Sequence, residues 1–193
     1  MIENMAIKLV DRVETAGMIN RNMREIYIYS AVSLLEKWLV IGTMILIGFV
    51  MNHILDTIIF MLFFFGLRKR TGGYHADKFW QCYIYTILTY AVVLIITPYL
   101  AAKEYLMMGL LAFSAVLIFL FGTVNHPNME LDSEELEDLK KMARYTLCME
   151  LLIIAGTYYF IDNRLYVAVM SISVILCALL LMLAKILRQE ARV

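Results

Sequence analysis

The chain has 193 residues, of which 62% are hydrophobic, a mean hydropathy of +0.75 and a formal net charge of zero. Soluble domains have an apolar content nearer one half, so this composition excludes an ordinary soluble domain and predicts one integral membrane domain over residues 1–193. The balanced charge gives no reason to expect a nucleic-acid partner, and the three cysteines, Cys82, Cys148 and Cys177, lack the paired spacing of a disulfide framework or a zinc module.

The N-terminal segment, residues 1–24, is predicted to form an amphipathic helix in the membrane interface. Apolar and charged residues are interspersed between residues 5 and 19, as on a helix that lies in the plane of the interface. The segment lacks the basic start and the apolar run of a signal peptide, so we expect the N-terminus to stay in the cytoplasm.

Six apolar blocks follow, and they predict an all-α polytopic membrane helix bundle of about six membrane segments. A helix needs about 20 apolar residues to cross the hydrocarbon layer. The second block has only 13 residues, so it is expected to be short, obliquely broken or re-entrant. The blocks cover residues 27–51, 54–66, 83–100, 105–124, 145–161 and 165–187.

The distribution of the 17 lysines and arginines predicts the orientation of the bundle. With a cytoplasmic N-terminus and six crossings, 14 of them fall on the cytoplasmic side and Lys37 lies near it, whereas only Lys103 and Arg164 fall in the opposite turns. Cytoplasmic loops of membrane proteins carry the excess of cations. Both termini are therefore expected in the cytoplasm.

Residues 125–144 form the one long polar segment and are predicted to be an ordered cytoplasmic loop. Asp132 or Ser133 is suited to cap a short helix there. The first turn of that helix would hold acidic residues and its end would hold Lys140 and Lys141, which matches the helix dipole.

Residues 67–82 are predicted to form a catalytic loop, because they place a thiol and an imidazole beside a membrane segment. Acyl transfer through a cysteine requires such a nucleophile and base. His75 and Cys82 are seven residues apart, which on one unbroken helix separates them by about 10.5 Å, too far for contact. Gly72 and Gly73 permit turns with positive φ, so His75 is expected on a loop and Cys82 near a helix start, where the thiolate is favoured.

The residue types alone leave a structural alternative open. A lone cysteine at the start of a membrane helix is more often a packing residue than a nucleophile. A loop histidine beside Arg68, Lys69 and Arg70 is equally suited to binding lipid headgroups.

Specific motif residues lie in this loop and after it: Arg68, Gly72, Gly73, Tyr74, His75, Ala76, Cys82, His126, Pro127 and Asn128. They resemble the accessory gene regulator protein B family of bacterial quorum-sensing peptidases, as do the length and hydropathy of most of the chain. The resemblance implies that His75 and Cys82 are the catalytic pair and that Arg68 and Gly73 match functionally important family positions. The family's Asn-Lys-Pro signature is only partly kept, as Asn128, Met129 and Glu130.

The resemblance also implies an activity, a substrate and a location. The activity is that of a cysteine endopeptidase that removes the C-terminal segment of a small autoinducer propeptide, forms a thioester on Cys82, and promotes cyclisation to a thiolactone or lactone. The substrate would be amphipathic, with an internal Cys or Ser and an acidic tail. The family further implies a homodimer in the bacterial cell membrane, in contact with its lipids, and no cofactor or metal is expected.

Several neighbouring residues are predicted to support this chemistry. Arg68 is expected to contact the substrate or the oxyanion, Gln81 is a candidate oxyanion donor, and Arg70 is expected in a cationic cleft that fits an acidic peptide. For Lys69 and Lys78, attraction to anionic lipid is the preferred interpretation. Asp77 is suited either to orient His75 or to cap the following helix.

The remaining polar residues in the apolar blocks are assigned mainly to structure. Cys148 and Cys177 are expected to be small packing residues, and His53 and His126 fall on opposite sides of the membrane, which argues against a shared metal. Asp56 and Glu150 are the intramembrane ionisable residues that are expected to face a cavity or partner.

Two other function classes remain as alternatives, a peptide transporter and a non-catalytic scaffold that holds the propeptide. The transporter is weakened by the lack of a nucleotide-binding motif and of repeated halves. Substitution of Cys82 separates both from a peptidase, because only a peptidase needs the thiol.

Overall fold

The computed structural model describes residues 2–17, 23–73, 79–125, 132–161 and 163–187. Within these ranges the chain forms seven helices and no strand, so the all-α prediction is confirmed. The helices are α1 (Ile2–Thr15), α2 (Arg24–Val50), α3 (Ile54–Thr71), α4 (Phe79–Ala102), α5 (Glu104–Phe121), α6 (Ser133–Phe160) and α7 (Arg164–Ile186).

Helix α7 lies at the centre of the bundle. It packs against α3, α4, α5 and α6, and 61% of its most apolar 18-residue window is buried inside the protein. A helix with apolar side chains on every face buries them all when other helices surround it. The four neighbouring helices therefore share one core, which includes Phe60, Leu67, Ile118 and Leu147.

Four of the described helices are long and apolar enough to cross a membrane, namely α2, α4, α5 and α7. Helices α3 and α6 interrupt their apolar sequences with charged residues, among them Arg68 in α3 and Glu150 in α6. Both pack against α7 and against each other. The architecture is a membrane helix bundle, as predicted.

Helix α3 is longer than the apolar block from which it was predicted. The apolar block ends at Gly66, where the cations begin, but the helix continues without a break to Thr71. Its 18 residues span about 27 Å. The helix is thus longer than its apolar block, although α3 is not among the four described helices that are long and apolar enough to cross a membrane.

Helix α1 is amphipathic and packs against the first half of α2. Its inward face buries Ala6 and Val10, and Arg24 of α2 pairs with Asp11 at 2.7 Å and with Glu14 at 3.2 Å. The helix ends at Thr15, earlier than the interfacial segment 1–24 predicted from sequence.

Helix α6 begins inside the polar segment 125–144 and continues into the apolar block that follows. Asp132 caps it by accepting hydrogen bonds from the backbone N–H groups of Glu134 at 2.9 Å and Glu135 at 2.8 Å. Glu135 accepts one in return from the N–H of Asp132, which completes a capping box. The predicted short helix is thus the first part of a 28-residue helix, not a separate element.

Contacts between helix ends define two ends of the bundle. At the first, called here the Gly73 end, α3, α5 and α7 finish and α4 and α6 begin, and Lys185 lies 5.4 Å above the Phe121 ring. At the other, called here the Glu104 end, Arg164 at the start of α7 lies 3.5 Å from Glu104 of α5.

Candidate catalytic site

The candidate nucleophile, Cys82, lies in the first turn of α4. The helix begins at Phe79, and Cys82 is its fourth residue, a half-buried free cysteine. The N–H groups of a first helical turn have no partner inside the helix, and the dipole there is positive. The prediction that Cys82 lies near a helix start is confirmed.

The candidate base, His75, lies outside the described residues, as do Asp77 and Lys78. The segment that contains them is bounded on one side by Gly73 and on the other by Phe79, and both of these residues are described. The predicted loop 67–82 is shorter than expected, because its first five residues belong to α3 and its last four to α4.

Gly72 and Gly73 end α3 in a turn that requires glycine. Their φ angles are +62° and +124°, in a region that side-chain-bearing residues rarely adopt. A Cβ atom on Gly73 would lie 1.8 Å from Nη1 of Arg68 and 3.0 Å from the carbonyl oxygen of Leu180. The guanidinium of Arg68 thus occupies the space that a side chain at position 73 would need.

Arg68 is held at this turn. Its guanidinium donates a hydrogen bond to the carbonyl oxygen of Gly72. Of the residues predicted to support the chemistry, Arg68 is the one whose side chain lies against both glycines.

The other predicted supporting residues are placed less centrally. Lys69 is exposed, and Arg70 is half-buried with its guanidinium against the sulfur of Met142 in α6. Gln81 is half-buried in the first turn of α4, beside Cys82 in sequence. Adjacent helical residues point about 100° apart, so Gln81 and Cys82 leave the helix in different directions.

A segment that sequence reasoning missed packs against the end of α3. Residues 122–125, called here the Thr123 strap, follow α5, and Thr123, Val124 and Asn125 are all buried. The Val124 N–H donates to the carbonyl oxygen of Thr71 at 3.1 Å, and the Thr123 hydroxyl donates to the carbonyl oxygen of Arg70 at 2.7 Å. The sequence signal was weak: residues 122–124 were included in the apolar block 105–124, and no local pattern indicates that they contact the end of α3.

The two remaining cysteines differ in burial. Cys177 is buried, and its thiol donates to the carbonyl oxygen of Phe64 at 3.6 Å, which confirms it as a packing residue. Cys148 is exposed on α6, so the packing role predicted for it is wrong. Met149, the next residue, is exposed as well, whereas Leu147 on the other side is buried in the core.

The two intramembrane acids also differ. Asp56 is in the first turn of α3, and its carboxylate lies 2.7 Å from Nδ1 of His53. Glu150 is 6% exposed, and its Oε2 atom has no hydrogen-bond partner among the described residues. A Cβ on Gly66 would be 3.5 Å from its other oxygen. Asp56 thus has a partner at a helix end. Glu150 faces the interior of the bundle, as expected for an intramembrane ionisable residue.

Comparison with known proteins decides the family. The family model described as Accessory gene regulator B matches residues 2–183. The chain belongs to the accessory gene regulator B family. Together with the apolar helices, this makes it a multi-pass membrane protein of a quorum-sensing family.

One relative is an AgrB-like protein of Clostridium perfringens (strain 13 / Type A). It is 27% identical over 124 residues, an alignment that covers 63% of this chain and 56% of the relative. The chain thus aligns with little more than half of the length of that relative. No solved structure matches the chain.

Proposed function

We propose that this protein is a membrane cysteine endopeptidase that cleaves a small autoinducer propeptide and promotes cyclisation of the remaining peptide. The proposal has Cys82 as nucleophile and His75 as base. One observation carries it: a half-buried free thiol lies in the first turn of α4, and the Arg68 guanidinium is fixed at the Gly73 turn, on the chain segment that leads to α4. Family membership supports the same assignment.

In the first step, the Cys82 thiolate attacks the carbonyl carbon of the scissile peptide bond. The S–C bond forms, the C–N bond breaks, and the released amine takes a proton from the imidazolium of His75. The products are a thioester on Cys82 and the free C-terminal segment. Arg68 supports this step by stabilising negative charge on the carbonyl oxygen or on the acidic substrate tail.

In the second step, the internal Cys or Ser of the propeptide attacks the thioester carbonyl. The new S–C or O–C bond forms as the bond to Cys82 breaks, which gives a thiolactone or a lactone and regenerates the Cys82 thiol. A thioester keeps the carbonyl reactive, provided that water is excluded. Because forming a thioester from an amide is uphill, removal of the cleaved segment draws the reaction forward by mass action.

The proposed location is the inner leaflet of the bacterial cell membrane, with both termini in the cytoplasm and residues 1–193 as one domain. The charge distribution supports it. Cations are concentrated at the Gly73 end, where the positive-inside tendency places the cytoplasm. They include Arg68, Lys69, Arg70, Lys140, Lys141, Arg144 and Lys185, whereas the Glu104 end has Lys103 and Arg164.

The proposed partners follow from the same surface. A peptide with an acidic tail fits the cations of the Gly73 end, and its amphipathic part would be held in the membrane interface beside the lipid. A homodimer is proposed from family membership.

The test uses the full chain, purified in nanodiscs, and a synthetic propeptide of the kind encoded beside such a gene. Cys82→Ser and His75→Ala should each reduce cleavage at least about 100-fold, because each removes one of two cooperating groups. Wild-type protein should show a mass increase equal to the acylated peptide fragment on Cys82. The matched control is Cys148→Ser, which removes an exposed thiol from α6 and should leave cleavage unchanged.

Binding of the propeptide distinguishes the alternatives. Cys82→Ser should still bind the peptide, since the substitution removes one sulfur atom from the site. Propeptide movement or retention that persists undiminished in Cys82→Ser, with no acyl adduct in the wild type, would identify a transporter or a scaffold and refute the peptidase.

A further inference from the structure

We propose that Thr123 is a positioning residue for this peptidase. From the segment after α5, it holds the end of α3 at the point where the chain turns toward His75. The inference rests on the proposed function, and it assigns Thr123 no contact with the substrate or with the reacting atoms.

The first observation is the way in which the end of α3 is capped. The last four carbonyl groups of a helix have no partner inside the helix. Here the carbonyl of Arg68 accepts from the N–H of Gly72 at 3.1 Å, as at many helix ends. The carbonyls of Arg70 and Thr71 are satisfied instead by the Thr123 strap, and Thr123 lies 53 residues beyond Arg70 in sequence.

The second observation is that the strap is itself firmly held. Thr123 is 2% exposed and Val124 is fully buried. Gly122, with φ of +66°, packs against α6, where a Cβ on it would lie 2.8 Å from Cγ of Lys140. The strap is therefore a fixed support between α3 and α6.

The third observation is that the turn after α3 has almost no free space. A Cβ on Gly72 would lie 3.1 Å from the carbonyl oxygen of Val124. On the other side, Gly73 is enclosed by the Arg68 guanidinium and by the Leu180 carbonyl of α7. The strap, α7 and Arg68 thus hold the two glycines from three directions.

These contacts connect the Thr123 hydroxyl to the proposed chemistry. Gly73 precedes His75 by two residues, and the Arg68 guanidinium that fills the space beside Gly73 is the group proposed to stabilise negative charge in the first step. Loss of the hydroxyl removes one of the two hydrogen bonds that the Thr123 strap donates to the end of α3. A displacement of about 1 Å in catalytic geometry is enough to lower a rate about 100-fold, so a small movement of this turn should be visible in kcat.

The experiment compares two substitutions at one position in the full chain in nanodiscs. Thr123→Val keeps the shape and removes the hydroxyl, whereas Thr123→Ser keeps the hydroxyl and removes the methyl group. Thr123→Val should lower kcat for a synthetic propeptide at least about 10-fold, with KM within about 2-fold. Thr123→Ser should restore kcat to within about 3-fold of wild type.

A matched control is Thr146→Val in α6. Its hydroxyl donates to a backbone carbonyl at 2.9 Å, that of Met142 within its own helix, and it is exposed. This variant should cleave like the wild type. If Thr123→Val does not purify as a folded protein, Thr123→Ala carries the same expectation.

Hydrogen exchange gives a readout that does not depend on peptidase activity. Amides in the peptide that covers the end of α3 and the two glycines should exchange faster in Thr123→Val than in wild type or Thr123→Ser. Equal exchange in all three, equal losses of kcat in the Val and Ser variants, or a loss confined to KM would each overturn the inference. If wild type and Cys82→Ser cleave equally, the proposed peptidase fails, and exchange alone then decides whether Thr123 holds the turn.

Discussion

The two ends of the bundle use arginine in different ways. At the Glu104 end, Arg164 lies 3.5 Å from the carboxylate of Glu104 and 4.1 Å above the ring of Tyr158, and the Tyr158 hydroxyl also donates to Glu104. At the Gly73 end, Arg68 donates to the backbone carbonyl of Gly72, and its guanidinium fills the space beside Gly73.

This difference distinguishes a structural contact from a candidate site. The Arg164 cluster joins α5, α6 and α7 through side chains that are partly exposed, and such ion pairs contribute little beyond local stability. The Arg68 guanidinium is instead held in a constrained backbone turn, on the chain segment that leads to the helix of Cys82. Perturbing the Gly73 end should therefore affect chemistry, and perturbing the Glu104 end should affect stability alone.

The largest expected effect at the Gly73 end comes from Gly73→Ala. The new methyl group would overlap Arg68 Nη1 and approach the Leu180 carbonyl, and a φ of +124° strains any side-chain-bearing residue. We expect cleavage of a synthetic propeptide to fall at least about 100-fold, because both Arg68 and the chain leading to His75 must move. Steady-state kinetics on the folded variant provide the measurement.

Two other glycines serve as controls for Gly73→Ala. A Cβ on Gly48 would lie 2.0 Å from the Thr57 hydroxyl oxygen, so Gly48→Ala should lower the melting temperature without a change in kcat. A Cβ on Gly109 meets nothing within 4 Å, so Gly109→Ala should change neither. Equal losses of kcat in the Gly73 and Gly48 variants would show that packing alone, and not the turn, explains the effect.

The next largest effect is expected when each of the two arginines is replaced by lysine. Lysine keeps the charge but lacks the planar guanidinium, which donates to the Gly72 carbonyl and fills the space beside Gly73. Arg68→Lys should reduce kcat about 10- to 100-fold, whereas Arg164→Lys should leave kcat within about 2-fold and cost at most about 1 kcal/mol of stability. Thermal unfolding and single-turnover cleavage of the two purified variants give both quantities.

A loss of kcat that is as large in the Arg164 variant as in the Arg68 variant, or larger, would contradict the proposed difference between the two ends of the bundle. A catalytic loss in Arg164→Lys that matches the loss in Arg68→Lys would place the functional centre at the Glu104 end. Rates of Cys82 alkylation add a further check, since a change confined to Arg68→Lys would locate its action at the thiol.

Hydropathy predicted the long apolar helices well because lipid requires apolar side chains along the whole length of each helix. The bounds of α4, α5 and α7 differ by only a few residues from blocks 83–100, 105–124 and 165–187. The length of helix α3 was underestimated because its apolar sequence stops before the first cation, whereas its helical backbone hydrogen bonds continue to Thr71. Helix α6 was divided for the same reason, since its first ten residues are mostly polar.

The site was predictable only where its residues are close in sequence. Gly72, Gly73 and the helix-start position of Cys82 follow from local rules for turns and helix ends. The role of Arg68 in filling the space at Gly73 depends on a side-chain direction, and the Thr123 strap depends on a contact across 53 residues. Neither leaves a periodic pattern, so sequence reasoning could not find them.

The smallest expected effect concerns the capping box that begins α6, on the far side of the strap. Asp132→Ala removes the acceptor of two backbone N–H groups and should cost about 1 kcal/mol of stability. Asp132→Asn keeps a good N-cap and should restore most of it. Thermal unfolding of both variants measures this difference.

The same pair of variants tests whether the start of α6 affects the candidate site. Lys140 of α6 packs against Gly122, so a general loosening of α6 would reach the strap and lower kcat. The cap, however, lies two helical turns before Lys140, and fraying of a helix end is confined to its first turn. We therefore expect kcat to stay within about 2-fold in Asp132→Ala. A larger loss, reversed by Asp132→Asn, would extend the positioning elements of the site from the strap to the start of α6.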